Sequence, residues 1–69
     1  MSDFRVKIDY TNWRGERRER IIIPHQIMFG ISNYHPEPQW MLDAKDVEKG
    51  EVRRFAMRDI HKWEELPEA

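Results

Sequence analysis

The sequence predicts a small all-β fold, a barrel or curled sheet of four to five short strands. Three observations predict it. Residues 4–10 alternate between apolar and polar without a break. Short apolar stretches then recur at regular intervals between glycine, proline and asparagine, the spacing of an all-β domain. The chain has 69 residues, 39% hydrophobic and 12% aromatic, which is enough to fold but only as one domain spanning 1–69.

Phe4, Val6, Ile8 and Tyr10 share one face of the first strand, and Arg5, Lys7 and Asp9 share the other. This period of two marks a half-buried strand. Thr11–Gly15 carries turn chemistry, with Gly15 free to take a positive φ. A second strand is expected from Glu16 to Ile23, charged in its first half and apolar in its second. Pro24 is expected to end it, because proline lacks the ladder donor. His25–Phe29 suits a helical turn or a strand, and Gly30 breaks it. Ile31–Pro38 reads as a loop with two prolines in three residues.

In the third strand Trp40, Leu42 and Ala44 share a face, and Trp40 is expected in the core. Asp46–Gly50 is a turn. Glu51–Met57 alternates again, with Phe55 and Met57 inward. Arg58–Trp63 is a short terminal helix or a last strand, since Ile60 and Trp63 stand one helical turn apart. Glu64, Glu65 and Glu68 give 64–69 the character of a frayed acidic tail.

Composition excludes several classes. The longest apolar runs fall far short of the roughly 20 residues of a membrane span, and no charged region leads into an apolar one as in a secretory signal. No membrane partner is expected. The absence of cysteine fits a reducing, cytoplasmic setting and leaves the core without a disulfide. A chain near this length buries only about 60% of its unfolded surface, so assembly would add useful burial. The net charge of −1 gives no global pull on nucleic acid. Its distribution is uneven: +2 over residues 1–20 and −3 over residues 21–69.

The sequence offers little for catalysis. His25, His35 and His61 lie ten and 26 residues apart, whereas zinc ligands usually pair within about two to five residues. The hydroxyls of Ser2, Thr11 and Ser32 have no glycine elbow around them. No glycine loop is built to cradle phosphate. Neither metal, cofactor nor enzymatic activity is expected.

A binding surface is better supported. If the first two strands pair, Arg5 and Lys7 lie beside Arg17–Arg20, with Arg18 and Arg20 on one face. Guanidinium forks match phosphate groups. Tyr10, Trp13, Tyr34 and Trp63 would stack on bases where exposed, although Tyr10 continues the apolar stripe and belongs to the core. The plain alternative is a solvated strand face whose charges prevent edge pairing.

The order of elements resembles the WYL domain over about residues 4–60. Ile8-Asp9-Tyr10 matches the family's first strand, Gly15 its turn and Ile23-Pro24 its apolar-proline step. Trp40-Met41-Leu42 stands at the Trp-Tyr-Leu tripeptide, and Arg53-Arg54-Phe55 matches the Arg-x-Phe step. Met57-Arg58-Asp59-Ile60 fits the end of the pattern with Asp59 in the place of an arginine. Met41 replaces a tyrosine and removes a hydroxyl; Asp59 reverses a charge.

The resemblance implies an SH3/Sm-like β-barrel. It further implies a regulatory or accessory domain of the kind found behind DNA-binding helices in bacterial transcription regulators or beside CRISPR effectors. The chain is too short to carry a helix-turn-helix as well, so a stand-alone domain is implied. Its ligand would be anionic, with single-stranded nucleic acid or a nucleotide as the leading class. Ligand-facing residues would include Tyr10, Arg20, Trp40 and Arg53, with Arg5, Lys7, Arg18 and Arg20 supplying charge. The alternative is a protein-interaction or self-association module, centred on anchors such as Trp13, Met28, Phe29 or Trp63.

Overall fold

Strict alternation makes β1, Val6–Thr11, bury every second residue. Val6 and Ile8 are fully buried and Tyr10 nearly so. Phe4, expected on the same inner face, precedes the strand and is exposed. The computed structural model describes residues 4–32 and 35–67. Ser2, Tyr34 and Glu68 lie outside the described residues.

Four further strands follow: β2 at Arg17–Ser32, β3 at His35–Asp46, β4 at Glu51–Ala56 and β5 at Ile60–Glu65. A 3-10 turn, Met57–Asp59, joins β4 to β5. Arg58–Trp63 therefore divides between that turn and the last strand. All pairings are antiparallel, in the order β4-β3-β2-β1-β5. The turns between strands carry the expected glycines, Gly15 at φ 84° and Gly50 at φ 68°. Such values cost glycine little and other residues much.

Three expectations are corrected: Pro24 does not end β2, Gly30 does not break it, and Ile31–Pro38, expected as a loop, is strand over its described residues. His25–Phe29 takes the strand form, one of the two expected for it. β2 and β3 form one long hairpin in which Phe29 stands opposite Trp40. The register shifts between Pro24 and Gln26, and a bulge of this kind tolerates a residue without a ladder donor. Pro36 and Pro38 precede Met41, where the pairing of β3 with β4 begins. Their missing N–H groups therefore leave no β4 bond unmade.

The sheet is open and curled rather than a closed SH3/Sm barrel. Its edges are β4 and β5, and no pairing joins them among the described residues. Two strands lie between β1 and β4, so a flat sheet would hold them about 14 Å apart. Yet the rings of Tyr10 and Phe55 meet edge to face with centroids 4.9 Å apart. The concave side therefore wraps the core: Val6, Ile8, Tyr10, Ile22, Leu42, Ala44 and Phe55, flanked by Met57 and Ile60.

Candidate ligand-binding cleft

Antiparallel register decides which side chains share the concave face, because directly opposed residues point the same way. Tyr10 stands opposite Arg18 and Ile8 opposite Arg20. Ala44 stands opposite Arg53 and Leu42 opposite Phe55. Curling brings both sets together around an open cleft of about 930 Å³, whose lining includes Tyr10, Trp13, Arg18, Arg20, Arg53 and Phe55.

The cleft is charged but internally compensated. Arg20 Nη1 lies 3.2 Å from the Asp46 carboxylate, and both side chains are buried. Arg18 reaches Glu48 at 3.1 Å and Arg53 reaches Glu51 at 2.9 Å, with all four of these side chains substantially exposed. The two exposed pairs are weak and exchangeable. The buried pair is not, since opening it leaves a charge in low dielectric. Two guanidinium donors are left over: Arg20 Nε and Arg53 Nε are buried and without a hydrogen-bond partner among the described residues. An unmade buried hydrogen bond costs about 1–3 kcal/mol.

Tyr10 forms the floor. Burial pushes its phenol pKa above the usual value, and the negative charge of Asp59 pushes the same way. The Ala56 N–H bond to its oxygen and the charge of Arg20 act in the opposite direction. At the rim, the Arg14 guanidinium sits 5.0 Å from the centre of the Trp13 ring. Asn12 Oδ1 holds this β1–β2 turn by accepting the N–H groups of Arg14 and Glu16, both at 2.9 Å.

Of the seven residues singled out from the sequence, the cleft brings together Tyr10, Arg18, Arg20 and Arg53. Arg5 precedes β1 and is exposed. Lys7 stands opposite Ile21, on the face away from Arg18 and Arg20. It lies 3.9 Å from both Glu19 and Glu64. Arg5 and Lys7 thus do not join Arg18 and Arg20 in one patch. Trp40 is neither in the core nor in the cleft lining; it is 58% exposed on the β2–β3 hairpin. Met41 is fully buried, so the missing tyrosine hydroxyl belongs to a packing position.

Sequence reasoning missed the three carboxylates that face the arginines. Glu51 was legible, because residues two apart on a strand share a face and Arg53 follows it at that spacing. Asp46 and Glu48 were not, since their partners lie 26 and 30 residues away and depend on register. Among the described residues no group of three or more His, Cys, Asp or Glu is placed to hold a metal. None of the described helices is long and apolar enough to cross a membrane.

Fold and cleft together define a small antiparallel β domain with an arginine-lined concave face. The WYL domain model matches residues 1–65, nearly the whole sequence, and the chain belongs to the WYL domain family. WYL domains are ligand-binding regulatory domains and are generally non-catalytic. No curated protein matches the chain.

Proposed function

We propose that this chain is a non-enzymatic regulatory or accessory domain that binds an anionic ligand in the concave cleft, with single-stranded nucleic acid or a nucleotide as the leading class. One observation carries the reading. Arg20 is 93% buried by its neighbours, holds one carboxylate, and still presents an unused Nε donor beside a cleft that also holds Arg18 and Arg53. A phosphate oxygen accepts such donors. Binding exchanges Glu48 and Glu51 for the ligand at Arg18 and Arg53, while Asp46 keeps Arg20 in place. Trp13, 55% exposed at the rim, supplies a ring face for a base.

The test is fluorescence anisotropy with labelled single-stranded RNA, single-stranded DNA and a labelled nucleotide. Each titration is run at about 50 and 200 mM salt, since phosphate contacts weaken steeply with salt. Salt-sensitive binding that is lost in Arg53→Ala and in the Arg18→Ala variant supports the reading. Absence of binding to all three probes at low salt rejects it.

A further inference from the structure

The β2–β3 hairpin carries an apolar face that meets the cleft only at Ile31, which is part of the cleft lining. β1 pairs with β2 only as far as Ile22, and β4 pairs with β3 only from Met41 to Asp46. β2 therefore has no paired strand on its β1 side beyond Ile22, and from the Phe29–Trp40 pair outward the hairpin runs on as a two-stranded ribbon, with no third strand beside it among the described residues. Ile27, Phe29 and Ile31 recur along this part of β2 at the strand period of two. Phe29 stands opposite Trp40, their rings 5.4 Å apart and inclined at 68°. Ile27 stands opposite the core residue Leu42, so the apolar face of the sheet continues past the core. All four side chains are 57–58% exposed.

The composition of the ribbon indicates what covers it. From Ile21 to Pro36 the sequence has no Lys, Arg, Asp or Glu, although 36% of the chain is charged. Exposed strands are ordinarily protected by charge, and here that protection is missing along one continuous segment. A twofold contact sets each patch against its own copy, so any net charge would meet like charge. An uncharged apolar face is the kind that pairs with itself. Aromatic side chains are the commonest anchors of such contacts. Two aromatics, each carrying roughly 150–250 Å², and two isoleucines supply on the order of half the ~800 Å² per partner of a standard interface. The unpaired flanks of the ribbon lie beside them to supply the rest.

We propose that the chain self-associates as a twofold dimer, with Ile27, Phe29, Ile31 and Trp40 of one copy packed on the same residues of a second copy. The contact centres on Phe29 and Trp40, neither of which lines the cleft, and borders the cleft at Ile31.

Sedimentation velocity from low micromolar to near-millimolar protein tests it. The wild type forms a dimer that persists at high salt. The Phe29→Ser/Trp40→Ser double variant weakens dimerisation by about 100-fold or more, the expected loss of two interface anchors. Thermal unfolding followed by circular dichroism checks that the variant folds. A second route uses the absence of cysteine: Phe29→Cys crosslinks between copies under mild oxidation faster than Lys62→Cys, placed on the exposed Lys62 of the edge strand β5, outside the cleft lining. Three results overturn the proposal: a monomer at the highest concentration, which leaves the face to a different partner; a dimer unaffected by the double variant; or equal crosslinking from both cysteines.

Discussion

The phenolic oxygen of Tyr10 accepts a hydrogen bond from the backbone N–H of Ala56 at 3.2 Å. The two residues belong to β1 and β4, which are separated in the sheet by β2 and β3. One bond thus fastens the curl that gives the cleft its concavity. Tyr10→Phe keeps the ring against Phe55 but leaves the Ala56 N–H unmade in a buried place. The expected cost is about 1–3 kcal/mol, read from urea unfolding. Wild-type protein is also expected to show one tyrosine ionising above pH 10 in its ultraviolet titration, from the burial of Tyr10. That late phase disappears in Tyr10→Phe.

The buried pair of Arg20 and Asp46 separates stability from binding. Asp46 is also tied to the β3–β4 turn, where its Oδ1 accepts the Lys49 N–H at 3.2 Å. Arg20→Met strands the Asp46 carboxylate and is expected to destabilise by about 3–5 kcal/mol. Arg20→Met with Asp46→Leu removes both charges and is expected to recover most of that loss. The double variant is therefore a folded protein without the Arg20 donor. Anisotropy is expected to show no binding of the anionic probes that the wild type takes. Recovered stability with unchanged binding would make Arg20 a structural residue only.

Much of this arrangement was legible in the chain, and the rest was not for identifiable reasons. Alternation placed Val6, Ile8, Tyr10 and Phe55 inward because a strand that buries one face has a fixed period. The same rule failed at Trp40. It shares a parity with Leu42 and Ala44, but their cover stops before the ribbon begins, and no local signal marks where a core ends. Pro24 misled for a related reason: whether a missing N–H matters depends on the partner strand and its bulge. The arginines of the cleft were visible as residue types. Which of them meet, and which carboxylates they meet, followed only from the register of four strands.

Acid is expected to loosen two carboxylate–arginine pairs, Asp9–Arg17 and Asp43–Arg54. Asp9 accepts two bonds from Arg17, each at 2.9 Å, and this pairing holds its pKa below the usual 3.8. Asp43 accepts Arg54 at 2.7 and 3.3 Å and Gln26 at 3.0 Å, and is lowered for the same reason. A carboxyl that is more acidic in the folded chain contributes stability above its unfolded pKa. That contribution is lost as pH falls through the folded value. The urea midpoint is therefore expected to fall as pH drops below about 4. The Asp9→Asn/Asp43→Asn variant, measured in parallel, starts less stable and falls less steeply below that pH. Equal slopes in the two proteins would show that these pairs contribute nothing.

Glu48 and Glu51 compete with any anion for Arg18 and Arg53. Glu48 is 76% exposed in its side chain and Glu51 58%, so each pair is worth about 0.2–1 kcal/mol. Removing one carboxylate charge returns that amount to the ligand. Glu48→Gln and Glu51→Gln are each expected to tighten binding of single-stranded nucleic acid or nucleotide by roughly 1.4- to 5-fold, with the gain shrinking at high salt. Lys7 provides the control. It sits between Glu19 and Glu64 on the opposite face, so Glu19→Gln makes the same change in net charge at a different place. Anisotropy titrations of the three variants distinguish a local effect from a global one. A gain confined to Glu48→Gln and Glu51→Gln places the ligand at Arg18 and Arg53, because only there does a carboxylate occupy the site the ligand needs. An equal gain in Glu19→Gln would reduce the effect to net charge and remove the cleft from the argument.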